Sequence, residues 1–451
     1  MSAEPASSWS GASPDARPST AWYALFVLTL CYTLSYIDRQ IIAFLIDPLK
    51  QELAISDTQI GLLQGIAFAL FYTFFGLPMG WLADRYSRRN IVAAGVFIWS
   101  LMTALSSGAR SYFTLALARM GVGLGEATMN PCAFSMISDY FPRERLSTAL
   151  SVYMMGIQLG SGLALIIGGV VVHAITQLPP IEIAGFGTVA PWRLTFLAVG
   201  VPGMLFALFV FTVKEPARRS LLRNEAGKSV PIKLGVALRQ AMQKWQSVFG
   251  IALMIGCQAL CNYTLLSWGP AFFERVHGWP RNQIGLTLGL ITLTAGCLGL
   301  ITGGRLADRW QREEVTDGTL RVGLISLIGV GILLPTAMLL PEARWTVATL
   351  VIAVMFIGLP IGSSYAALQY IFPNQMRGVA SAIVLFVVNF TGLGLGSFLP
   401  GLLNDHLFQD PQKVGQSIAL TVVIASTIGT TVVLLTMRPY RRHYAEMRAV
   451  T

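Results

Sequence analysis

Four ionisable side chains stand where the surrounding sequence is almost wholly apolar. Asp38 and Arg39 lie in the run SYIDRQIIAFL, and Arg119 and Glu126 in ARMGVGLGEATM. A charge in the middle of a membrane span costs about 2.5–3.5 kcal/mol on insertion scales, so such a residue is retained for what it does or for what it pairs with. Glu126 follows Arg119 by seven residues, which on a helix is two turns along nearly the same face and about 10 Å deeper. Its neighbours Gly121, Gly123, Gly125 and Ala127 are small and let another helix close in and exclude water. Burial and a nearby guanidinium act on such a carboxyl group in opposite directions. Asp38 and Glu126 are therefore candidate proton carriers, with Arg39 and Arg119 as the cations that bias them. Asp38 lies past the middle of the first apolar run and Arg119 before the middle of the fourth, so the two are expected to pair. The competing reading is a static buried ion pair that fixes helix packing.

A second set of residues has the spacing of a moving part. GWLADRYSRR at 80–89 returns as GRLADRWQR at 304–312, and the same offset of 224 residues carries Gln59-Ile60-Gly61-Leu62 onto Gln283-Ile284-Gly285-Leu286. Two matches at one spacing make the chain a duplication, an architecture in which secondary transporters place their substrate site between the halves. Asp84 and Asp308 each end an apolar run on the basic side. A carboxylate there can sit against the N-terminus of a helix, a contact worth roughly 0.3–2 kcal/mol. Asp84 is expected at the start of the eleventh span, near Met376–Gly378, and Asp308 at the start of the fifth, near Leu146–Thr148. Arg85 and Arg88 are expected to pair with Asp139. With Gly80, Gly304 and Arg309, these residues form a candidate cytoplasmic gate.

The elements that must position these groups follow from composition. Of 451 residues, 54% are hydrophobic and 12% charged, against about 25% charged in a soluble domain. A chain of this kind reads as a polytopic membrane protein. The net charge of +10 sits in alternate short loops, which argues for membrane topology and against nucleic-acid binding. A hydrocarbon core of about 30 Å takes about 20 apolar residues per helix. Twelve spans follow, near 22–46, 58–83, 90–109, 112–138, 146–172, 192–213, 246–276, 282–308, 318–340, 344–372, 376–403 and 414–436. Lys50, Arg110, Arg193, Arg275, Arg281, Arg344 and Lys413 are the basic residues of one set of loops, and the other set with the tails holds most of the rest. Both termini are therefore expected to be cytoplasmic.

The fold class expected is all-α: two pseudo-symmetric six-helix bundles. The domains are a disordered tail (1–20), an N-terminal bundle (21–213), a cytoplasmic linker (214–245), a C-terminal bundle (246–436) and a basic tail (437–451). Within the linker, Leu234, Leu238, Met242 and Trp245 share a helical face, the pattern of an amphipathic helix on the membrane surface. The tail lacks a basic leader and the first apolar run exceeds a signal peptide, so that run reads as a retained span.

The interiors of the two halves differ. The second half has no counterpart to the four charges. It offers Asn262 and Tyr263 in the seventh span, Ser363, Ser364 and Tyr365 in the tenth and Asn389 in the eleventh. Together with Tyr36, the residues Asn262, Tyr263, Ser364, Tyr365 and Asn389 are candidate substrate contacts, while ion coupling falls to the first half. The glycines Gly156, Gly160, Gly162, Gly168 and Gly169 of the fifth span read as helix packing, and His173 as a loop residue. All five cysteines fall in apolar segments with no histidine or third thiol near Cys257 and Cys261, so neither a metal site nor a disulfide is expected. No nucleophile motif or phosphate loop is present, and no cofactor or enzymatic activity is expected.

With these residues assembled, the chain from about 22 to 436 resembles the major facilitator superfamily, through the repeated G-x-x-x-D-R-x-x-R loop. The first half is similar to the Spinster family in Tyr36-Ile37-Asp38-Arg39, in Arg119 with Gly121 to Ala127, in Ser138-Asp139-Tyr140-Phe141-Pro142 and in Gly160-Ser161-Gly162. The resemblance implies a proton-linked carrier with Asp38, Arg39, Arg119 and Glu126 as its coupling residues, and an amphipathic cargo such as a lysophospholipid. The Tyr-Ile-Asp-Arg stretch also occurs in organic-anion symporters of the superfamily. In that alternative, Arg39 and Arg119 bind the substrate carboxylate. A membrane receptor that keeps the fold without transport is the alternative from another class. The expectation is a monomeric multi-pass carrier of the inner or plasma membrane, working by alternating access, with protons, an amphipathic solute and the bilayer as partners.

Overall fold

In lipid, a run of about 20 apolar residues can satisfy its own backbone hydrogen bonds only as a helix, and this chain is helical over nearly all its described length. The computed structural model describes residues 18–177, 181–183, 187–218, 242–372 and 377–448. The helices of the first part are α1 (Pro18–Gln40), α2 (Ile46–Leu53), α3 (Asp57–Gln64), α4 (Ile66–Arg85), α5 (Arg88–Ser106), α6 (Tyr112–Glu126), α7 (Met129–Tyr140), α8 (Arg143–Thr176) and α9 (Pro191–Val210). Those of the second part are α10 (Trp245–His277), α11 (Arg281–Ile291), α12 (Cys297–Arg312), α13 (Gly318–Leu339), α14 (Ala343–Gly358), α15 (Pro360–Ile371), α16 (Arg377–Val388), α17 (Gly396–Leu403) and α18 (Val414–Arg448). Wider π-helical turns at Thr292–Gly296 and Asn389–Leu395 join α11 to α12 and α16 to α17.

Eleven helical stretches among the described residues are long and apolar enough to cross a membrane. The expected fourth span falls short of that length in either of its pieces because it is broken into α6 and α7 at Ala127 and Thr128. The Thr128 hydroxyl donates to the Gly125 carbonyl at 2.8 Å, a local bond that competes with the helical ladder. The all-α expectation holds apart from one short hairpin, β1 (Ile181–Ile183) paired antiparallel with β2 (Gly187–Val189). It lies between α8 and α9, where the sequence had suggested only a loop. Both copies of the Gln-Ile-Gly-Leu repeat open a helix, α3 and α11. In the first copy Gln59 completes a capping box: Ser56 accepts from the Gln59 N–H at 3.2 Å, and the Gln59 side chain accepts from the Ser56 N–H at 2.9 Å.

The chain groups into two compact units, Met1–Ile41 with Leu70–Pro231, and Ile42–Ala69 with Ile232–Thr451. The expected bundles, 21–213 and 246–436, differ from these in one segment, since Ile42–Ala69 packs with the second. Of the linker, residues 219–241 lie outside the described residues, including Leu234 and Leu238, while Met242 and Trp245 are exposed.

Within the first unit, α1 packs on α8: a Cβ on Gly160 would stand 3.1 Å from the Tyr36 Cβ and one on Gly156 3.3 Å from the Thr29 Cγ2, so these two glycines of the fifth span serve packing. Spans three and four approach more closely still. A Cβ on Gly125 would lie 2.7 Å from the Trp99 backbone nitrogen, so only glycine lets α5 run against the break at Glu126.

Within the second unit, Ile42–Ala69 is held by backbone approach and by charge. A Cβ on Gly61 would meet the Ser397 carbonyl oxygen at 2.8 Å, which brings α3 flat against α17. Asp57, whose side chain is fully buried, accepts from Arg275 Nη1 at 2.9 Å and Nη2 at 3.0 Å, from Asn404 at 2.7 Å and pairs with Lys50 at 2.7 Å. Arg275 also reaches Asp47 at 2.7 Å. The Asp405 carboxylate takes the Thr58 N–H at 2.6 Å, closing the N-terminus of α3. These bonds decide which unit the segment joins, because a buried carboxylate is stable only beside its cations.

Two outcomes follow. Gly125→Val should lower the melting temperature of the detergent-purified protein by the equivalent of about 1–3 kcal/mol, the usual scale of overpacking; an unchanged melt would contradict the close approach. Arg275→Met leaves Asp57 buried with less compensation and should cost about 3–5 kcal/mol. Lys50→Met, which removes a half-buried partner, should cost distinctly less in the same melt, and the reverse order would show that Lys50 holds the segment.

Candidate functional site

All four charges singled out by the sequence come together in the first unit. Arg39 stands in the last turn of α1 and Glu126 is the last residue of α6. The Arg39 Nε donates to Glu126 Oε2 at 2.6 Å, and Nη2 closes on the same oxygen. The Glu126 side chain has no solvent exposure and that of Arg39 has 10%. Arg119 Nη1 donates to the backbone carbonyl of Asp38 at 3.2 Å. Asp38 and Arg119 are both buried, and Trp99 and Thr103 of α5 flank the Asp38 carboxylate. The expected meeting of Asp38 with Arg119 thus runs through the main chain, and the guanidinium that closes on Glu126 belongs to Arg39. With both acids ionised, the two carboxylates and two guanidiniums cancel, which makes the cluster tolerable in a dry interior. Adding one proton leaves a net positive charge there.

An aromatic shell surrounds Arg39, and of its members the sequence pointed to Tyr36 alone. The guanidinium carbon lies 5.0 Å from the ring centroid of Tyr36, a predicted substrate residue, and 5.0 Å from that of Tyr72 on α4. The Tyr72 hydroxyl accepts from Asn130 of α7 at 2.9 Å, and the other end of the Asn130 amide accepts from Tyr153 of α8 at 2.8 Å. Tyr153 stacks on Tyr32 at 4.9 Å, and Tyr32 meets Tyr36 edge-on at 5.5 Å. Tyr72 sits in a phenylalanine-rich stretch that reads as lipid-facing. Asn130 was the available signal, as a polar residue four positions past Glu126 in the same span.

At the basic end, the first copy of the repeated loop is tied down. Arg88, 1% exposed in its side chain, pairs with Asp139 as expected, donates to Ser135 at 2.9 Å and binds Glu215 at 2.9 Å. Glu215 also takes the Arg89 N–H at 2.8 Å and the Ser87 hydroxyl at 3.0 Å, so it closes the N-terminus of α5. Burial pushes the Glu215 carboxyl up, but the Arg89 N–H and the Arg88 guanidinium outweigh it and hold the group below its ordinary value. Arg85 does not join Asp139; its guanidinium lies 3.8 Å from the Trp81 ring centroid. The Asp84 side chain and the start of the eleventh span near Met376 lie outside the described residues. In the second copy, Asp308 is exposed and Arg309 pairs with Glu313 at 2.8 Å on its own helix. A Cβ on Gly80 or Gly304 would meet nothing within 4 Å among the described residues.

The predicted residues of the second half stay within the second unit. Asn262 and Tyr263 are half-buried on α10, and Asn389 opens the π-helical turn before α17. Ser364 and Tyr365 lie on α15. Ser364 is buried, and its hydroxyl, like that of Ser363, has no hydrogen-bond partner among the described residues. Tyr365 packs on a core that includes Ile255, Leu368 and Val388. No group of histidine, cysteine or acidic residues suited to a metal occurs among the described residues.

Comparison with known proteins agrees with this geometry. Residues 28–438 match the Major Facilitator Superfamily. An MFS-type efflux pump of Mycolicibacterium smegmatis is 31% identical over 95% of each chain. Protein spinster of Drosophila melanogaster is 26% identical over 87% of this chain and 64% of its own length. The crystal structure of a bacterial homolog to the human lysosomal transporter Spinster, inward-facing and unoccupied, aligns with a TM-score of 0.78 at 25% identity, covering 96% of this chain and 99% of that one. A multi-pass helical chain with a duplicated basic loop, a buried charge cluster and these relatives belongs to the major facilitator superfamily, as a Spinster-like transporter of small molecules across the lipid bilayer.

Proposed function

We propose that this carrier links the movement of an amphipathic solute, of the lysophospholipid class, to protons by alternating access. The observation that carries the proposal is the Arg39–Glu126 pair, whose carboxylate has no solvent exposure and stands at a helix break inside the fourth span. Glu126 and Asp38 hold the exchangeable protons. Arg39 and Arg119 supply the opposing charge. When Glu126 is ionised, Arg39 is held and the cluster is neutral. When Glu126 takes a proton, the guanidinium loses its partner in a medium that does not solvate it. Breaking a buried pair is worth about 3–5 kcal/mol, close to the roughly 5.5 kcal/mol that takes a two-state equilibrium from 1:99 to 99:1. One proton is therefore enough to change which conformation is favoured.

The remaining roles follow the same division. Tyr36 in the first half and Asn262, Tyr263, Ser364, Tyr365 and Asn389 in the second contact the solute. The unbonded hydroxyl of Ser364 is suited to a polar group on it. The turns with Gly80, Asp84, Arg85, Arg88 and Asp139, and with Gly304, Asp308 and Arg309, form a gate on the cytoplasmic face of the inner or plasma membrane, with both termini on that face. The protein works as a monomer.

Purified protein in liposomes under an imposed pH gradient tests this, with labelled lysophosphatidylcholine and a panel of organic acids as probes. The parent should move the lysolipid, and Glu126→Gln should lose at least about tenfold in rate, equivalent to 1.4 kcal/mol, together with its pH dependence. A Glu126→Gln protein as fast and as pH-sensitive as the parent would sink the assignment; movement of organic acids alone would transfer it to the anion symporter reading. The gate has its own signature. Because Glu215 is held below its ordinary value of 4.5, its stabilisation is complete above that pH and is lost as pH falls through the lower folded value. The parent's melting temperature should therefore drop on acidification below roughly pH 4.5 by more than that of Glu215→Gln; equal drops would show that Glu215 does not hold the loop.

A further inference from the structure

Arg39, Tyr72, Asn130, Tyr153, Tyr32 and Tyr36 form a closed circuit through α1, α4, α7 and α8. It runs by a cation–ring contact, two hydrogen bonds, a stack, an edge contact and a second cation–ring contact. From this circuit we propose that Asn130 is a positioning residue for Arg39: its amide fixes the Tyr72 ring against the guanidinium and so holds Arg39 on Glu126.

Asn130 does what no apolar residue of its size could do there. An amide donates at one end and accepts at the other, so it can join two phenols, Tyr153 giving its proton and Tyr72 receiving one. Tyr72 is thereby held from the hydroxyl end while its ring face meets Arg39. A ring face attracts a guanidinium through its quadrupole, more strongly as water is removed. Two such faces, from Tyr36 and Tyr72, leave the planar guanidinium little freedom except in the direction of Glu126. Asn130 also belongs to α7, just past the break at Ala127 and Thr128 that follows Glu126. It therefore ties the position of Arg39 to the helix on the far side of that break. No atom of Asn130 is placed against Arg39 or the solute by this account; it acts through Tyr72.

The inference rests on the reading of Arg39–Glu126 as the coupling pair, and two measurements separate the two ideas. In the liposome assay with labelled lysophosphatidylcholine, Asn130→Leu and Tyr72→Phe should each lower the maximum rate about tenfold, the scale of one lost buried hydrogen bond. The concentration giving half the maximum rate should change less than about twofold, and the double variant should be no slower than the slower single variant, because both cut one chain. Tyr153→Phe, which keeps the stack on Tyr32, should give the same pattern and serves if Asn130→Leu does not fold. The second measurement needs no transport: melting of the detergent-purified parent, Asn130→Leu, Arg39→Gln and their combination. Non-additive melts uphold the positioning role, even if the parent moves none of the probes and the coupling reading falls. Additive melts overturn it. A raised half-saturation concentration with an unchanged maximum rate also overturns it, since Asn130 would then be touching the solute itself.

Discussion

A carboxylate and a guanidinium that meet without water between them set the terms for everything around them. Each alone would be several kcal/mol unstable in that place, so Glu126 and Arg39 must both be present and must be delivered to each other within a few tenths of an ångström. That requirement accounts for features that otherwise look unrelated. The fourth span breaks directly after Glu126. Gly125 has no side chain because the backbone of α5 passes at 2.7 Å from where its Cβ would be. Arg39 sits between two tyrosine rings because a delocalised cation is held better by ring faces than by an aliphatic wall. A buried ion pair also needs exclusion of water, and the close approach at Gly125 supplies it.

The other charge clusters serve a different end. Asp57 with Arg275 and Lys50 in the second unit, and Arg88 with Asp139 and Glu215 in the first, lie where loops meet helix termini. Each combines a nearly solvent-free side chain, Asp57 or Arg88, with at least one partly exposed partner, Lys50 or Glu215. Such pairs hold segments in place while remaining reachable by water. Among the described residues, the Arg39–Glu126 cluster thus lies within its spans, and the other two lie where helices end.

How much of this could be read from the sequence depended on chemistry. The four interior charges were legible because an apolar chain pays heavily for each, and no local propensity explains them. The spans were legible for the same reason. Partner choice was legible only in part, since Arg88 meets Asp139 as expected but Arg85 does not. Sequence depth placed Asp38 opposite Arg119, but the direction a side chain takes at a helix break is set by tertiary packing, and Arg39 reaches Glu126 instead. Glu215 was hidden because it lies after the sixth span in a stretch of ordinary loop composition; only folding shows that it closes the N-terminus of α5. Tyr72 was masked by four phenylalanines nearby, and Asn130 by a proline at its side. The segment Ile42–Ala69 was assigned by chain order, whereas its buried carboxylate at Asp57 places it with the arginine in α10. The duplication was plain in its backbone signature, yet the two loops differ in what their arginines bind.

The exit from the sixth span has a mechanical side. Tyr140 binds the Lys214 carbonyl, Arg88 binds Glu215 and the Pro216 carbonyl at 2.8 Å, and Arg218 binds the carbonyls of Ala83 and Tyr86 at 2.8 and 2.7 Å. The chain that leaves for the second half is therefore stitched to the ends of the second, third and fourth spans before it departs. Tension on that connection would reach Arg218, tied to the end of the second span, and then Arg88, the residue that grips Asp139. The tether and the latch share one fastening.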